Sequence, residues 1–360
     1  MNINPYIKAR KNSVSAIMLD VIIALVPLVL ADYAAFGFTA IRLITTAVVT
    51  CLITDFLFHA LYVKKYNSFL DGSAIITALL LSFTISPLTP WYVVAFGSFC
   101  AIVFGKLMWG GLGKNRFNPA LVGREFMTAF FPVMSTAAIW STNSIRKTND
   151  FHLFANDSLL ETYSNDLIFK TTGALGEYSM LLIVLGGLYL IVRKRISWHI
   201  PFAILTVFLC GSWISSSYGL ELKYSVAGIV LGSVFMATDM PSSPNGYPGM
   251  LYYGGMIGLI SIFFILGNVR FEYLSYAILL LNGFTPFINQ IFRPRAWGEK
   301  IDYAVKTEKI FLLTLVIIAA AMAIITLHYY GFIKYLIYIY IIYITFKFNF
   351  SFIKNIHNPI

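Results

Sequence analysis

Apolar stretches long enough to cross a bilayer recur from one end of the chain to the other. Runs bounded by aromatic residues and by breaks rich in Gly and Pro predict helices over 17–35, 41–62, 73–87, 91–108, 119–139, 180–192, 198–214, 225–239, 249–267 and 273–291. Two more are expected at 309–327 and 331–346. A hydrocarbon core of about 30 Å takes roughly 20 apolar residues, so 73–87, 180–192 and 225–239 are short. Short, Pro- or Gly-interrupted spans are where transport proteins often build their sites. The pattern predicts an all-α polytopic membrane protein with ten core helices and up to two extra C-terminal ones.

Composition supports lipid as the solvent. The 360 residues are 58% hydrophobic and 12% charged, with a mean hydropathy of +0.76. A soluble domain carries roughly a quarter charged residues. The net charge of +10 is then the cytoplasmic excess of Lys and Arg rather than a nucleic-acid footprint, and no nucleic acid is expected as a partner. Basic residues cluster at Lys8, Arg10 and Lys11, at Lys64 and Lys65, at Lys114, Arg116 and Arg124, at Arg193 to Arg195, and at Arg293, Arg295 and Lys300. An even number of spans separates these clusters, so they share one face. That face is expected to be cytoplasmic, with the N-terminus inside and the polar loop 140–178 outside. Residues 1–16 read as a retained tail, since no small-residue cleavage site follows them. Cys51, Cys100 and Cys210 are far apart within apolar spans, so each is expected to be buried and structural, with no disulfide framework.

Two sequence echoes suggest internal symmetry. "ISPLTP" ends the third span and "DMPSSP" the eighth, each with the spacing P-x-x-P. Two spans later "RFNPALVG" (116–123) is matched with "GFTPFINQ" (283–290). The distances from first Pro to last, 32 and 45 residues, suggest halves that have diverged. A five-span repeat is odd, so the second half must be inverted relative to the first, with a site near the pseudo-two-fold. The expected organisation is a tail at 1–16, repeats at 17–139 and 179–292 separated by the outer loop 140–178, and a basic linker with a hydrophobic extension at 293–360.

Acids inside a membrane are costly unless paired or lining a wet path. Asp71 opens the third span and caps a helix as well as it could serve a ligand. Asp239, in "FMATDMPSSP", lies where a helix breaks beside Ser242, and either terminates that helix or coordinates an ion or polar ligand. Asp20 and Asp55 are partners for basic residues or groups on an ion path. The five histidines share no metal-ligand spacing, and no catalytic or metal motif is present. In "WGGLGKNRFNPALVG", Asn118 and Pro119 have the order of an N-cap and a first helical residue.

Several segments together resemble the RnfD/NqrB family: "DGSAIITALLLSFTISP", "GKLMWGGLGKNRFNPALVGREF", "GALGEYSMLLIVLGGLYLIVRKRISWHIP", "GSVFMATDMPSSP" and "AILLLNGFTPFINQIFRPRAWG". The resemblance covers about residues 5–300 and is nearer to RnfD than to NqrB. It implies ten helices in two inverted five-helix halves, an FMN joined through a phosphoester bond to a Thr in the outer loop, and a bound riboflavin in relatives. The nearest match to the flavinylation signature places Thr148 at the acceptor position, with Lys147 where the family has a small residue and Thr142 where it has Asp. The loop therefore reads either as an FMN site or as a polar loop without the cofactor. Outside it, the candidate cofactor contacts are Asn115, Arg116 and Asn118 of the Gly-rich turn, with Asp239 and Ser242 of the Pro-rich break. The tail after "RPRAWGEK" departs from the family.

The resemblance implies a membrane component of a bacterial inner-membrane Rnf complex that couples electron transfer between ferredoxin and NAD to Na⁺ or H⁺ translocation. Its partners would be the A, B, C, E and G components of that complex. It would be an enzyme only as one part of the translocase. The alternatives are an NqrB-like quinone reductase component, or a solute channel or secondary transporter with inverted repeats.

Overall fold

The computed structural model describes residues 14–63, 71–140, 173–220, 222–293 and 302–357. Among these residues every regular element is helical. The first half contains α1 (Val14–Phe36), α2 (Phe38–Phe58), α3 (Ser73–Phe83), α4 (Trp91–Val103) and α5 (Pro119–Phe130). The second contains α6 (Met180–Val192), α7 (His199–Ser217), α8 (Val226–Leu231), α9 (Tyr247–Leu266) and α10 (Tyr273–Ile291), and α11 (Tyr303–Tyr329) and α12 (Ile333–His357) follow. Wider π turns extend α2 over His59–Val63 and α8 over Gly232–Met236. Seven helices are long and apolar enough to cross a membrane, and Ser73–Phe83, Met180–Val192 and Val226–Met236 are shorter apolar ones. The chain is a polytopic helical membrane protein.

Three expected spans are shorter than their apolar runs. α3 stops at Phe83 and α4 at Val103, short of the expected ends at 87 and 108. The fifth ends at Phe130 rather than 139, because Phe131 turns extended (φ −123°, ψ 99°) ahead of Pro132. Proline disfavours a helical residue before it. Two 3₁₀ turns, Pro132–Ser135 and Ala137–Trp140, complete the run.

The halves pack alike. α2 packs on α4 and α4 on α5; likewise α7 packs on α9 and α9 on α10. Small residues allow these close approaches. Gly123 of α5 faces the Gly97 carbonyl of α4, where a Cβ would come within 2.5 Å. Gly254 and Gly258 of α9 sit against the carbonyls of Ile200 and Ile204 of α7 in the same way.

Across the junction, α1 meets α6 and α5 meets α10. Both pairs are antiparallel. Asp20 reaches Arg193, while Ala24 one turn later abuts Gly186. Arg116 ahead of α5 reaches Gly283, while Glu125 farther along meets Ser275. Equivalent helices meeting antiparallel define an inverted repeat.

The structure corrects the register of that repeat. Asn118 precedes α5 and Glu272 precedes α10, whereas Pro286 lies inside α10. The mate of "RFN" (116–118) is therefore "RFE" (270–272), and "GFTPFINQ" is not the symmetric partner of "RFNPALVG". With that pairing, Pro87 and Pro241, Pro90 and Pro244, and Asn118 and Glu272 are each 154 residues apart. The unequal spacing that suggested divergence came from matching the wrong proline.

The extension folds as two helices against the core. α11 packs on α10 and α9, where Tyr252 and Thr314 share a hydrogen bond of 2.8 Å. α12 packs on α5 and on the 3₁₀ turn Leu107–Trp109. Cys51 and Cys100 are buried as expected, but Cys210 is exposed, because it lies on the outward side of α7.

Candidate functional site at the junction of the two halves

Asn118 is the residue on which the basic-face junction is built. Its Oδ1 accepts from Ala120 N at 3.0 Å and Leu121 N at 3.3 Å, capping α5, and Pro119 occupies the first turn. Its Nδ2 donates to the Met236 carbonyl at 3.0 Å, satisfying an acceptor freed where α8 ends. Asn282, inside α10, fits its neighbours in one amide orientation. There it accepts from the Asn118 N–H at 3.0 Å and donates to Ile278 O and the Tyr253 hydroxyl.

Beyond Met236 the chain turns through Asp239. The backbone N–H groups of Ser242 and Ser243 donate to its carbonyl at 3.2 and 3.0 Å. Its carboxylate accepts from Asn115 Nδ2 at 3.0 Å and Ser242 Oγ at 2.9 Å. Thr285 of α10 donates to Ser242 O at 2.7 Å, and Arg116 donates to Gly283 O at 2.6 Å. The structure thus brings Asn115, Arg116, Asn118, Asp239 and Ser242 together from segments more than a hundred residues apart. Asn115, Asn118 and Ser242 are buried, Asn115 and Ser242 both bonding Asp239 and Asn118 bonding Met236, so they mainly lock the two breaks together. Arg116 alone of the five lines the adjoining open recess of about 430 Å³, with Pro241, Pro286, Asn289 and Arg293.

A larger cavity of about 700 Å³ opens at the other end of the α5–α10 pair. Trp140 and Gly173, which flank the 141–172 segment, both line it, as do Lys223 and Arg270. Trp140 stacks on Phe271 with ring centroids 5.0 Å apart. Arg124 donates to Phe271 O at 2.7 Å and lies 5.8 Å from the Trp140 ring centre. Around Arg124 are Glu125, Glu177 and Glu272. Burial pushes the Glu177 and Glu272 carboxyls above the usual carboxylate range, and Arg124 opposes that rise.

The remaining candidates have structural partners. Asp20 of α1 accepts from Arg193 at 3.0 Å and Arg195 at 2.6 Å, tying the two halves together on the basic face. Asp55 pairs with Lys106 at 3.0 Å, and Lys106 also donates to Ser73 at 2.7 Å. Asp71 lies ahead of the Gly72 N-cap of α3 and accepts from Ser73 N at 2.8 Å and Ser73 Oγ at 2.7 Å. Thr148 lies outside the described residues. No group of metal-ligating side chains is assembled among the described residues.

Sequence reading counted Arg124 among the basic anchors of one face. It is in fact a buried residue of α5 that reaches the opposite end of α10. Glu125, Glu272, Tyr253 and Asn282 were not singled out. Glu125 inside an apolar run, and Asn282 in "LLLNGF", carried the available signal, since polar groups at such positions need partners. Tyr253 gave no such sign.

The NQR2, RnfD, RnfE family model matches residues 1–298, ending before α11. The D subunit of the Na⁺-translocating ferredoxin:NAD⁺ oxidoreductase complex of Acetobacterium woodii is 35% identical, over 82% of this chain and 94% of that protein. The D subunit of the proton-translocating complex of Clostridium ljungdahlii is 32% identical, over 82% of this chain and 95% of its own length. The D subunit of the ion-translocating oxidoreductase complex of Alcanivorax borkumensis is 30% identical, over 81% and 94%. With these matches and the junction described above, the chain belongs to the NQR2, RnfD, RnfE family.

Proposed function

We propose that this protein is the RnfD component of an Rnf-type complex, coupling electron transfer between ferredoxin and NAD to translocation of Na⁺ or H⁺. The carrying observation is that the chain matches nearly the full length of the corresponding proteins from two such complexes. On this reading it works with the A, B, C, E and G components in a bacterial inner membrane. The basic face, where Arg193 to Arg195 lie, is cytoplasmic. The large cavity then opens outward, on the side from which the 141–172 segment departs.

The family's flavin fits that cavity. Both flanks of the 141–172 segment reach its wall, the Trp140–Phe271 pair offers an aromatic surface, and Lys223 and Arg270 offer cations to a phosphate. FMN held there would supply one-electron and two-electron redox chemistry. Trp140 and Phe271 would orient the ring, and Lys223 and Arg270 would balance the phosphate charge.

The test is ferredoxin-dependent NAD⁺ reduction in membranes from a strain lacking this gene, with and without complementation. Loss and recovery of activity are expected, and unchanged activity in the deletion strain overturns the assignment. Fluorescence of the denatured protein in a gel reports covalent flavin. It should vanish in Thr148→Ala, and persistence in that variant rules Thr148 out as the acceptor.

A further inference from the structure

Glu125 and Glu272 are each about 5% exposed, and Ser275 Oγ reaches both the Glu125 carboxyl and the Glu272 carbonyl where α5 passes the start of α10. The nearest buried cation is Arg124, whose guanidinium is partly engaged by the Phe271 carbonyl. Two buried carboxylates against one guanidinium leave an unbalanced negative charge before the half-buried Glu177 is counted. Burying such a charge is costly unless it is neutralised.

The hydroxyls around Glu125 leave room for one neutralising hydrogen. Ser275 Oγ lies within hydrogen-bond reach of two acceptors, Glu125 Oε1 and the Glu272 carbonyl. Thr128 Oγ1 likewise faces the Glu125 carbonyl at 3.0 Å and Glu125 Oε2 at 3.3 Å. A hydroxyl has one hydrogen to donate. Where one of these hydroxyls donates to its backbone carbonyl, the Glu125 oxygen it faces is satisfied by a carboxyl hydrogen, while the other hydroxyl donates to the second oxygen. Glu272 Oε1, fully buried, has no partner among the described residues.

We propose that Glu125 and Glu272 form a proton-binding pair that takes up one proton on one of its two carboxyl groups and exchanges it with solution through the large cavity. Ser275, the neighbour of Glu125, lines that cavity, as do Phe271 and Tyr273 on either side of Glu272. The other titratable groups facing the pair are Arg124 on α5 and Tyr276 on α10, and Glu177 before α6 and Tyr273 on α10 lie on the far side of Arg124's surroundings. His328 of α11 lies behind the Tyr276 ring, at 5.9 Å between centroids. A metal ion is the weaker occupant, because no set of three or more ligating side chains is assembled here among the described residues. Binding is the simple step –COO⁻ plus H⁺ to –COOH, reversed on release. The role in translocation rests on the reading of the chain as part of an Rnf complex, but the proton site itself does not.

The experiment is infrared difference spectroscopy of the intact complex in lipid, stepping pH and recording the C=O stretch of protonated carboxyl groups. One band in that region should be lost in both Glu125→Gln and Glu272→Gln. It should survive at shifted frequency in Ser275→Ala, a milder variant that remains readable if the Gln variants fail to assemble. A wild-type band unaffected by the three substitutions overturns the proposal. So does a band abolished by Na⁺ at constant pH, which would make a cation the occupant. Ferredoxin–NAD activity measured on the same preparation separates failure of this site from failure of the functional assignment.

Discussion

Asn118 joins three elements with one side chain and one N–H: it caps α5, holds the end of α8 and anchors on α10. Asn118→Ser keeps a capping oxygen but loses the bond to Met236, and Asn118→Ala loses both. The difference between these variants is expected at about 1 kcal/mol, the usual worth of an N-cap. Both variants leave the Met236 carbonyl unsatisfied, at a further cost of about 1–3 kcal/mol relative to the parent. Equilibrium unfolding in detergent measures both, and equal stability of the two variants would refute the cap assignment. Lys106 and Asp55 form a buried ion pair, so Lys106→Ala should destabilise by about 3–5 kcal/mol through the charge left on Asp55. Adding Asp55→Leu should recover part of that loss. At the other clamp, Arg195 is buried against Asp20 while Arg193 is half exposed, so Arg195→Ala should lower the melting temperature more than Arg193→Ala.

Elements show where periodicity stops being informative. The apolar runs located the twelve helices of the described residues, because each needs an apolar surface whether it faces lipid or protein. They overran the ends of α3, α4 and α5, since the chain stays apolar after the helix has broken. Pro87, Pro90 and Pro132 carried the missing information about where the breaks fall. The C-terminal hairpin, which lies beyond the family match, is bound to such a break. Tyr340 donates to the Phe104 carbonyl at 2.8 Å, where α4 has ended, and accepts from Trp109 at 3.0 Å. Lys347 lies 3.7 Å from the centre of the Trp109 ring. Tyr340→Phe is expected to cost about 1–3 kcal/mol by stranding that carbonyl away from water. Removing residues 303–357 should lower the melting temperature further while the ten-helix core still folds. Thermal unfolding of both proteins checks this, and a Tyr340→Phe variant as stable as the parent would leave the hairpin held by apolar packing alone.

At the scale of the molecule, the inverted repeat makes a topological prediction. Lys194 lies in the turn between α6 and α7, and Ser217 ends α7, so the two should face opposite sides of the membrane. Single cysteines at these positions, with Cys210 replaced by Ser, should be labelled by an impermeant maleimide from opposite sides. Labelling of both from one side would dismantle the inverted arrangement. The pseudo-two-fold also relates the two ends of the α5–α10 pair. The Asn118 end is filled by neutral amides and hydroxyls around Asp239, and the Glu272 end by two buried carboxylates. Equal backbone positions thus carry unequal chemistry on opposite faces.

Sequence alone determined the solvent, the helices of the described residues and the family resemblance. Each follows from local apolar runs, charge counts or short motifs, which need no knowledge of what lies across the molecule. It also supplied Asn115, Arg116, Asn118, Asp239 and Ser242, which the structure gathers at one junction, because breaks in apolar helices must be filled by polar groups. Tertiary structure decided the rest. It showed that "RFE" rather than "GFTP" mirrors "RFN", that Arg124 is buried, and that Ser275 brings Glu125 to the start of α10 beside Glu272. Those facts depend on how α5 passes α10, and side-chain pairing across 147 residues leaves no periodic trace in either segment.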